Sequence, residues 1–132
     1  MNLNKLSSKV IKAAINVHKE LGPGLLESVY QACMELELKE LNLKVESELP
    51  FPIKYRERDI TDQGFRIDLL VEDILIVELK SVKQIKDIHK KQLLTYLKLT
   101  KRPLGLLINF NEVLLKNGIT RIINKPTNSV LI

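Results

Sequence analysis

Phe65-Arg66-Ile67-Asp68-Leu69-Leu70-Val71 and Ile74-Leu75-Ile76-Val77-Glu78-Leu79-Lys80 stand in tandem, joined by Glu72-Asp73. Both runs are short and dominated by aliphatic and β-branched residues, so together they read as a pair of strands. Each carries a carboxylate where an apolar strand has no use for one. Asp68 interrupts the first run, and Glu78 closes the second, with Lys80 two residues on. Residues i and i+2 of a strand share a face, so Glu78 and Lys80 project from the same side of the sheet. Burying a carboxylate costs several kcal/mol unless it is paired or binds a metal. Two carboxylates side by side suit a hard divalent cation such as Mg²⁺ or Mn²⁺. A lysine beside them can position water or stabilise charge that develops at phosphorus.

The joining segment decides whether the carboxylates meet. With Glu72-Asp73 as a two-residue loop, Asp68 faces Val77 and the two acids point to opposite sides. A three-residue loop or a bulge sets Asp68 directly opposite Glu78. An odd loop or a bulge is therefore expected here, and an even, regular ladder argues against a shared cation site. The competing arrangement is an ion pair between Glu78 and Lys80 at an exposed strand end, with Asp68 starting a turn.

Upstream, Ser7 or Ser8 can cap a first helix along which Val10, Ile11, Ala14, Val17, His18 and Leu21 recur at helical spacing. Gly22-Pro23-Gly24 stops it. A second helix is expected over Leu26 to Leu41, with Tyr30, Cys33, Met34, Leu38 and Leu41 as its apolar stripe. The period then falls towards 2 over Lys44–Leu49, is broken at Pro50 and Pro52, and resumes over Ile53–Arg58 as an edge strand. Asp62-Gln63-Gly64 reads as a turn. Downstream, Asp87 stands where a helix cap belongs, ahead of Ile88 to Lys101. Leu104–Phe110 is a strand apolar on both faces, and Asn117-Gly118 turns the chain into a last strand, Ile119–Ile123. The expectation is one α/β domain, residues 1–132, with a mixed central sheet flanked by helices.

Composition bounds the function. The chain has 132 residues, 45% hydrophobic and 28% charged, which is globular composition at the length of one ordinary domain. No apolar run reaches the roughly 18 residues of a membrane span, and no apolar stretch follows the basic N-terminal residues as in a secretory signal. The single cysteine, Cys33, excludes an internal disulfide and a multi-cysteine zinc site. A cytoplasmic protein without membrane contact is expected. The net charge of +5 is unevenly spread. From Lys80 to Arg102 eight basic residues face one acid, Asp87, whereas Glu35 to Glu48 holds five glutamates. Such a basic segment fits a polyanion and also fits a solvated, lysine-rich helix face. Aromatics are only 5% with no tryptophan, which disfavours a base-stacking platform for single strands. There is no glycine-rich phosphate loop, no G-x-S-x-G and no pair of histidines at metal spacing.

Asp68, followed after nine residues by Glu78-Leu79-Lys80, resembles the D-x(n)-E-x-K signature of the PD-(D/E)XK nuclease superfamily, with Ile67 where the proline of the fuller motif stands. Gln92-Leu93-Leu94-Thr95-Tyr96 is similar to the Q-x-x-x-Y motif of RecB-like members, and its Gln92 and Tyr96, four apart, share a helix face. Gly24-Leu25-Leu26-Glu27-Ser28-Val29-Tyr30 resembles the element for which the GxxExxY family is named, and that likeness runs from about Val10 to Arg121. The resemblance implies a restriction-endonuclease-like core and a metal-dependent nuclease acting on DNA. It implies Asp68, Glu78, Lys80 and Glu27 as catalytic residues, with Asp68, Glu78, the main-chain carbonyl of Leu79 and Glu27 holding Mg²⁺ or Mn²⁺. Gln92, Tyr96, Lys83 and Lys90 would contact substrate. Taken without the family, Glu27 is an acid favoured by a helix N-terminus, Gln92 and Tyr96 belong to an amphipathic helix, and His89 on the same face is a surface histidine. The alternatives on the same fold are a nucleic-acid-binding module that does not cut and a protein-interaction module. A homodimer using the apolar edge near Leu114-Leu115 is a further expectation.

Overall fold

The computed structural model describes residues 2–125, apart from the side chains of residues 62 and 63. Residues 126–132 of the expected 1–132 domain lie outside the described residues. The chain forms α1 (Leu3–Leu21), α2 (Glu27–Glu40), β1 (Val45–Tyr55), β2 (Arg58–Val71), β3 (Leu75–Lys80), α3 (Asp87–Thr100), β4 (Leu104–Asn109) and, after a 3₁₀ turn at Leu115–Gly118, β5 (Ile119–Ile123). The strands lie in chain order in one sheet. Every neighbouring pair is antiparallel except β3 and β4, which run parallel and are joined through α3. This is the mixed sheet flanked by helices that the sequence predicts. No helix among the described residues is long and apolar enough to cross a membrane.

Two cores hold the layers together. On one face α1 and α2 cover the sheet through Leu6, Val10, Tyr30, Met34, Leu79 and Phe110. On the other, Leu93 and Leu97 of α3 pack on Ile67, Leu70, Ile76 and Leu107. Strand β4 is buried from end to end, as its unbroken apolar run requires. The sheet is thereby fixed from both sides around β3, the strand that carries Glu78 and Lys80.

Several boundaries differ from the sequence expectation. Helix α1 starts at Leu3, because the Asn2 side chain accepts from the N–H groups of Asn4 and Lys5 at 2.7 and 3.3 Å and so caps it ahead of Ser7 and Ser8. Buried Ser7 instead donates to the Asn4 carbonyl and accepts from Arg121. Strand β1 runs through Pro50 and Pro52. It is the edge strand, whose outer side needs no N–H donors, and register shifts around Ile53 absorb the prolines. The turn assigned to Asp62-Gln63-Gly64 lies at Arg56-Glu57, both left-handed at φ 51° and 64°. Gly64 serves the ladder: a Cβ there would fall 2.1 Å from Ile53 Cγ1. Helix α3 begins at Asp87 with Lys86 as its cap residue, and the Lys86 N–H is held by His89 Nδ1 at 3.0 Å.

The β2–β3 connection has the odd count that the carboxylates require. Glu72 and Asp73 are both left-handed (φ 53° and 58°), and the Ile74 N–H closes the turn on the Val71 carbonyl at 3.1 Å. Val71 then pairs with Leu75, leaving three residues between paired positions. Arg102 pins this turn by donating to the Asp73 carbonyl and, at 2.8 Å, to the Asp73 carboxylate. It is therefore engaged with protein rather than free within the basic segment that it ends.

Candidate active site

The pairs Val71↔Leu75, Leu70↔Ile76 and Leu69↔Val77 continue, one step further, to Asp68 opposite Glu78. The ladder stops short of that step for a reason visible in both cores. Leu69 and Val71 pack on the α1/α2 side, whereas Ile67 and Phe65 pack on the α3 side, so β2 exchanges faces at Asp68. Strand β1 does the same opposite it, with Val45 on one side, Leu49 and Phe51 on the other, and Glu48 between them at φ 46°. A non-glycine residue held left-handed inside a strand is a point of strain. This kink carries β2 away from β3 and leaves the Leu79 N–H without a strand partner. The Asp68 carboxylate fills that place, with Oδ2 accepting from the Leu79 N–H at 2.8 Å.

Glu78 follows Ile76 onto the α3 side and is buried, at 8% exposure. Its Oε1 has no hydrogen-bond partner. Burial, then the neighbouring Asp68 charge and a hydrogen bond shared with Asp68, push the Glu78 carboxyl up to about 9, with Lys80 pulling weakly the other way. In this state Glu78 is protonated at neutral pH. The arrangement is a pair of facing carboxyl groups that share a hydrogen bond, with one buried oxygen atom left over. A buried acceptor without a donor is an uncompensated cost. An oxygen-seeking divalent cation removes that cost and displaces the proton, so Asp68 and Glu78 fit such an ion.

Glu27 arrives from the other side of the sheet. The Gly22-Pro23-Gly24 loop is tied down by fully buried Tyr30, whose hydroxyl donates to the Gly22 carbonyl at 2.6 Å and accepts from the Leu25 N–H at 3.1 Å. Its ring stacks on Phe110 with centroids 4.4 Å apart. From this loop the Leu25 carbonyl accepts the Ser81 hydroxyl at 2.6 Å, and Glu27 Oε1 accepts the Ser81 N–H at 3.3 Å. Glu27 thus stands at the end of β3, exposed and occupied by main chain. Among the described residues no three His, Cys, Asp or Glu side chains gather at metal-binding range. The structure therefore brings together the Asp68–Glu78 pair and sets Glu27 beside the same strand end.

Tyr96 is half-buried on α3 and stacks on Phe65 at 4.3 Å, which in turn stacks on Phe51. Burial and then the charges of Glu78 and Asp68 raise its phenol, which places the ring beside the carboxylates. Gln92, one turn earlier, is exposed, as are Lys83 and Lys90. A residue with no flag in the sequence is Asn109. It is fully buried at the end of β4, where it accepts from the Val82 N–H at 3.1 Å and donates to the Val82 carbonyl at 2.9 Å. That two-way clamp fixes the segment leaving Lys80. Its only trace in the sequence is a lone amide in an otherwise apolar strand. His18 and Cys33 pack, as expected, with His18 Nε2 2.7 Å from the Glu112 carbonyl.

The sequence model of the PD-(D/E)XK nuclease superfamily matches residues 4–122. That span reaches from the first turn of α1 into β5 and takes in every residue just described. No curated protein and no solved structure gives a significant match.

Proposed function

Since the chain belongs to the PD-(D/E)XK nuclease superfamily, a family of hydrolases with a restriction-endonuclease-like α/β core, we propose that it cleaves phosphodiester bonds in DNA with the help of Mg²⁺ or Mn²⁺. The observation that carries this reading is the buried Glu78 with its unpartnered Oε1, facing Asp68 and two residues from Lys80. Asp68, Glu78 and the main-chain carbonyl of Leu79 would hold the cation, with Glu27 contributing directly or through water. When bound, such an ion supplies charge neutralisation at the phosphoryl oxygens.

The chain's own groups then have separable roles. Lys80 shares the α3 side with Glu78 and brings a fixed positive charge to where negative charge builds up at phosphorus. It also can orient the attacking water. Asp68, held by the Leu79 N–H, keeps its remaining oxygen directed by the kink in β2. Tyr96 walls the site on the α3 side, and Gln92 one turn away would contact the strand being cut. The lysines that follow Lys80, Lys83 and Lys90 among them, would hold the phosphate backbone without reading sequence. A cytoplasmic location and a second copy as partner complete the proposal. The placement of Glu27 on main chain rather than among the carboxylates favours one alternative, a module on this fold that binds nucleic acid and does not cut.

The test is incubation of the purified protein with linear, nicked, branched and single-stranded DNA, with Mg²⁺, Mn²⁺ or EDTA. Cleavage of at least one substrate that needs the cation and stops in EDTA is the expected result. Salt-sensitive binding to all of them with no product under any condition would establish the non-cutting module instead.

A further inference from the structure

Between the end of β3 and the start of α3 lies an open pocket of about 380 Å³, lined by Val82, Lys83, Gln84, Lys86 and His89. It is separate from the carboxylate pair, and every polar side chain in its wall carries a donor. No acid lines it. Three observations make it more than a stretch of surface lysines. The Val82 backbone is clamped in both directions by the fully buried Asn109, which ties this side of the wall to β4. His89 Nδ1 accepts the Lys86 N–H at 3.0 Å, and in a neutral ring that leaves the hydrogen on Nε2, so the ring offers the pocket a donor. The pocket also begins two residues after Lys80, at the end of the strand that carries Glu78.

We infer that this pocket takes a phosphate group of the substrate strand, held by Lys83, Lys86, Gln84 and the Nε2–H of His89. The inference rests on the nuclease reading for what the strand is, but the binding itself needs neither the cation nor cleavage. A phosphate offers several acceptor oxygens to this set of donors, and charge-assisted hydrogen bonds are the strong ones. Two sources share that chemistry: a terminal phosphate monoester, which would make the enzyme sense strand ends, and an internal diester next to the one being cut.

The experiment uses the full chain with Asp68→Asn, in EDTA, so that binding is read without cutting. Inorganic phosphate is titrated while the backbone amides of Val82 to His89 and the His89 ring nitrogens are followed by NMR. Oligonucleotides bearing a phosphate or a hydroxyl at the 5′ end, and separately at the 3′ end, are then compared by affinity. Perturbations confined to Val82–His89 are expected, and they vanish in Lys83→Gln/Lys86→Gln but persist in Lys116→Gln. His89→Asn, which keeps a cap acceptor and loses the Nε2–H, should weaken phosphate binding without unfolding α3. Tighter binding of one phosphorylated end, about tenfold, assigns the terminal monoester. Equal affinity of all oligonucleotides, lost in the double variant, assigns the internal diester. Absence of any perturbation by phosphate at Val82–His89, with oligonucleotide affinity unchanged in the double variant, overturns the inference. It would leave cation-dependent cleavage untouched, whereas loss of cleavage alone would leave the pocket standing.

Discussion

Replacing Lys80 by alanine should lower the cleavage rate by about a thousandfold or more while leaving the fold in place. The magnitude is that of removing a fixed charge aimed at the transition state in a site of low dielectric. The fold is spared because Lys80 contributes main chain rather than side chain to the architecture. Its carbonyl accepts the Phe110 N–H at 2.8 Å, and its backbone pairs with Asn109 in the parallel ladder. Alanine keeps both. Single-turnover rates at saturating DNA, beside thermal melts of both proteins, check the prediction. A variant that melts like the wild type and cuts at the wild-type rate would remove Lys80 from the chemistry.

Glu78→Gln should do two opposite things: stop cleavage and make the cation-free protein more stable. The carboxyl is buried and pushed up to about 9, from 4.5 in an unfolded chain, by desolvation first and by Asp68 second. A folded-state value above the unfolded one means that the native state binds the proton more tightly. Stability from this group is complete below about pH 4.5 and is lost as the pH rises through about 9. At pH 7 the native protein must keep a proton that the unfolded chain would release. Glutamine, of the same shape and always neutral, removes that requirement. A gain of about 2 kcal/mol near neutral pH is expected, after discounting the full shift for partial solvation, equivalent to roughly 7 °C in Tm for a chain of this size. The gain should shrink towards pH 4.5, where the unfolded wild-type chain takes up the proton as well. Equal melting temperatures across that range would show that Glu78 is not held protonated.

The meeting of the two carboxylates was more legible than the scaffolding around it. Carboxylates inside apolar strands are conspicuous in a sequence because burial makes them costly, and an odd β2–β3 connection follows from requiring Asp68 and Glu78 to meet. The left-handed pair Glu72-Asp73 that delivers it contains no glycine, so turn composition alone would not have identified it. The β1–β2 turn was misplaced for the same reason. Arg56 and Glu57 adopt φ values more usual for glycine or asparagine, while Gly64 drew attention to itself although its role is close packing against Ile53. The prolines of β1 suggested a break because the edge position that tolerates them is a property of the sheet, not of the segment. Helix caps slipped by up to six residues, since Asn2 outcompeted the serines and Lys86, its N–H held by His89, took the cap position expected of Asp87. The exchange of faces at Glu48 and Asp68 has no sequence signature beyond two acids at the wrong parity. It is nevertheless what frees the Leu79 N–H for Asp68.

Titration of Mg²⁺ and Mn²⁺ by calorimetry, into wild type and Asp68→Asn with an uncleavable DNA present, is the most direct measurement. Asparagine keeps an acceptor for the Leu79 N–H, so loss of binding would report on the carboxylate charge rather than on unfolding. The account predicts binding to the wild type alone. Up to about pH 9 it should tighten roughly tenfold per pH unit, as the cation displaces the Glu78 proton. Identical heats in the two proteins, or none in either with the DNA bound, would contradict a cation held between Asp68 and Glu78.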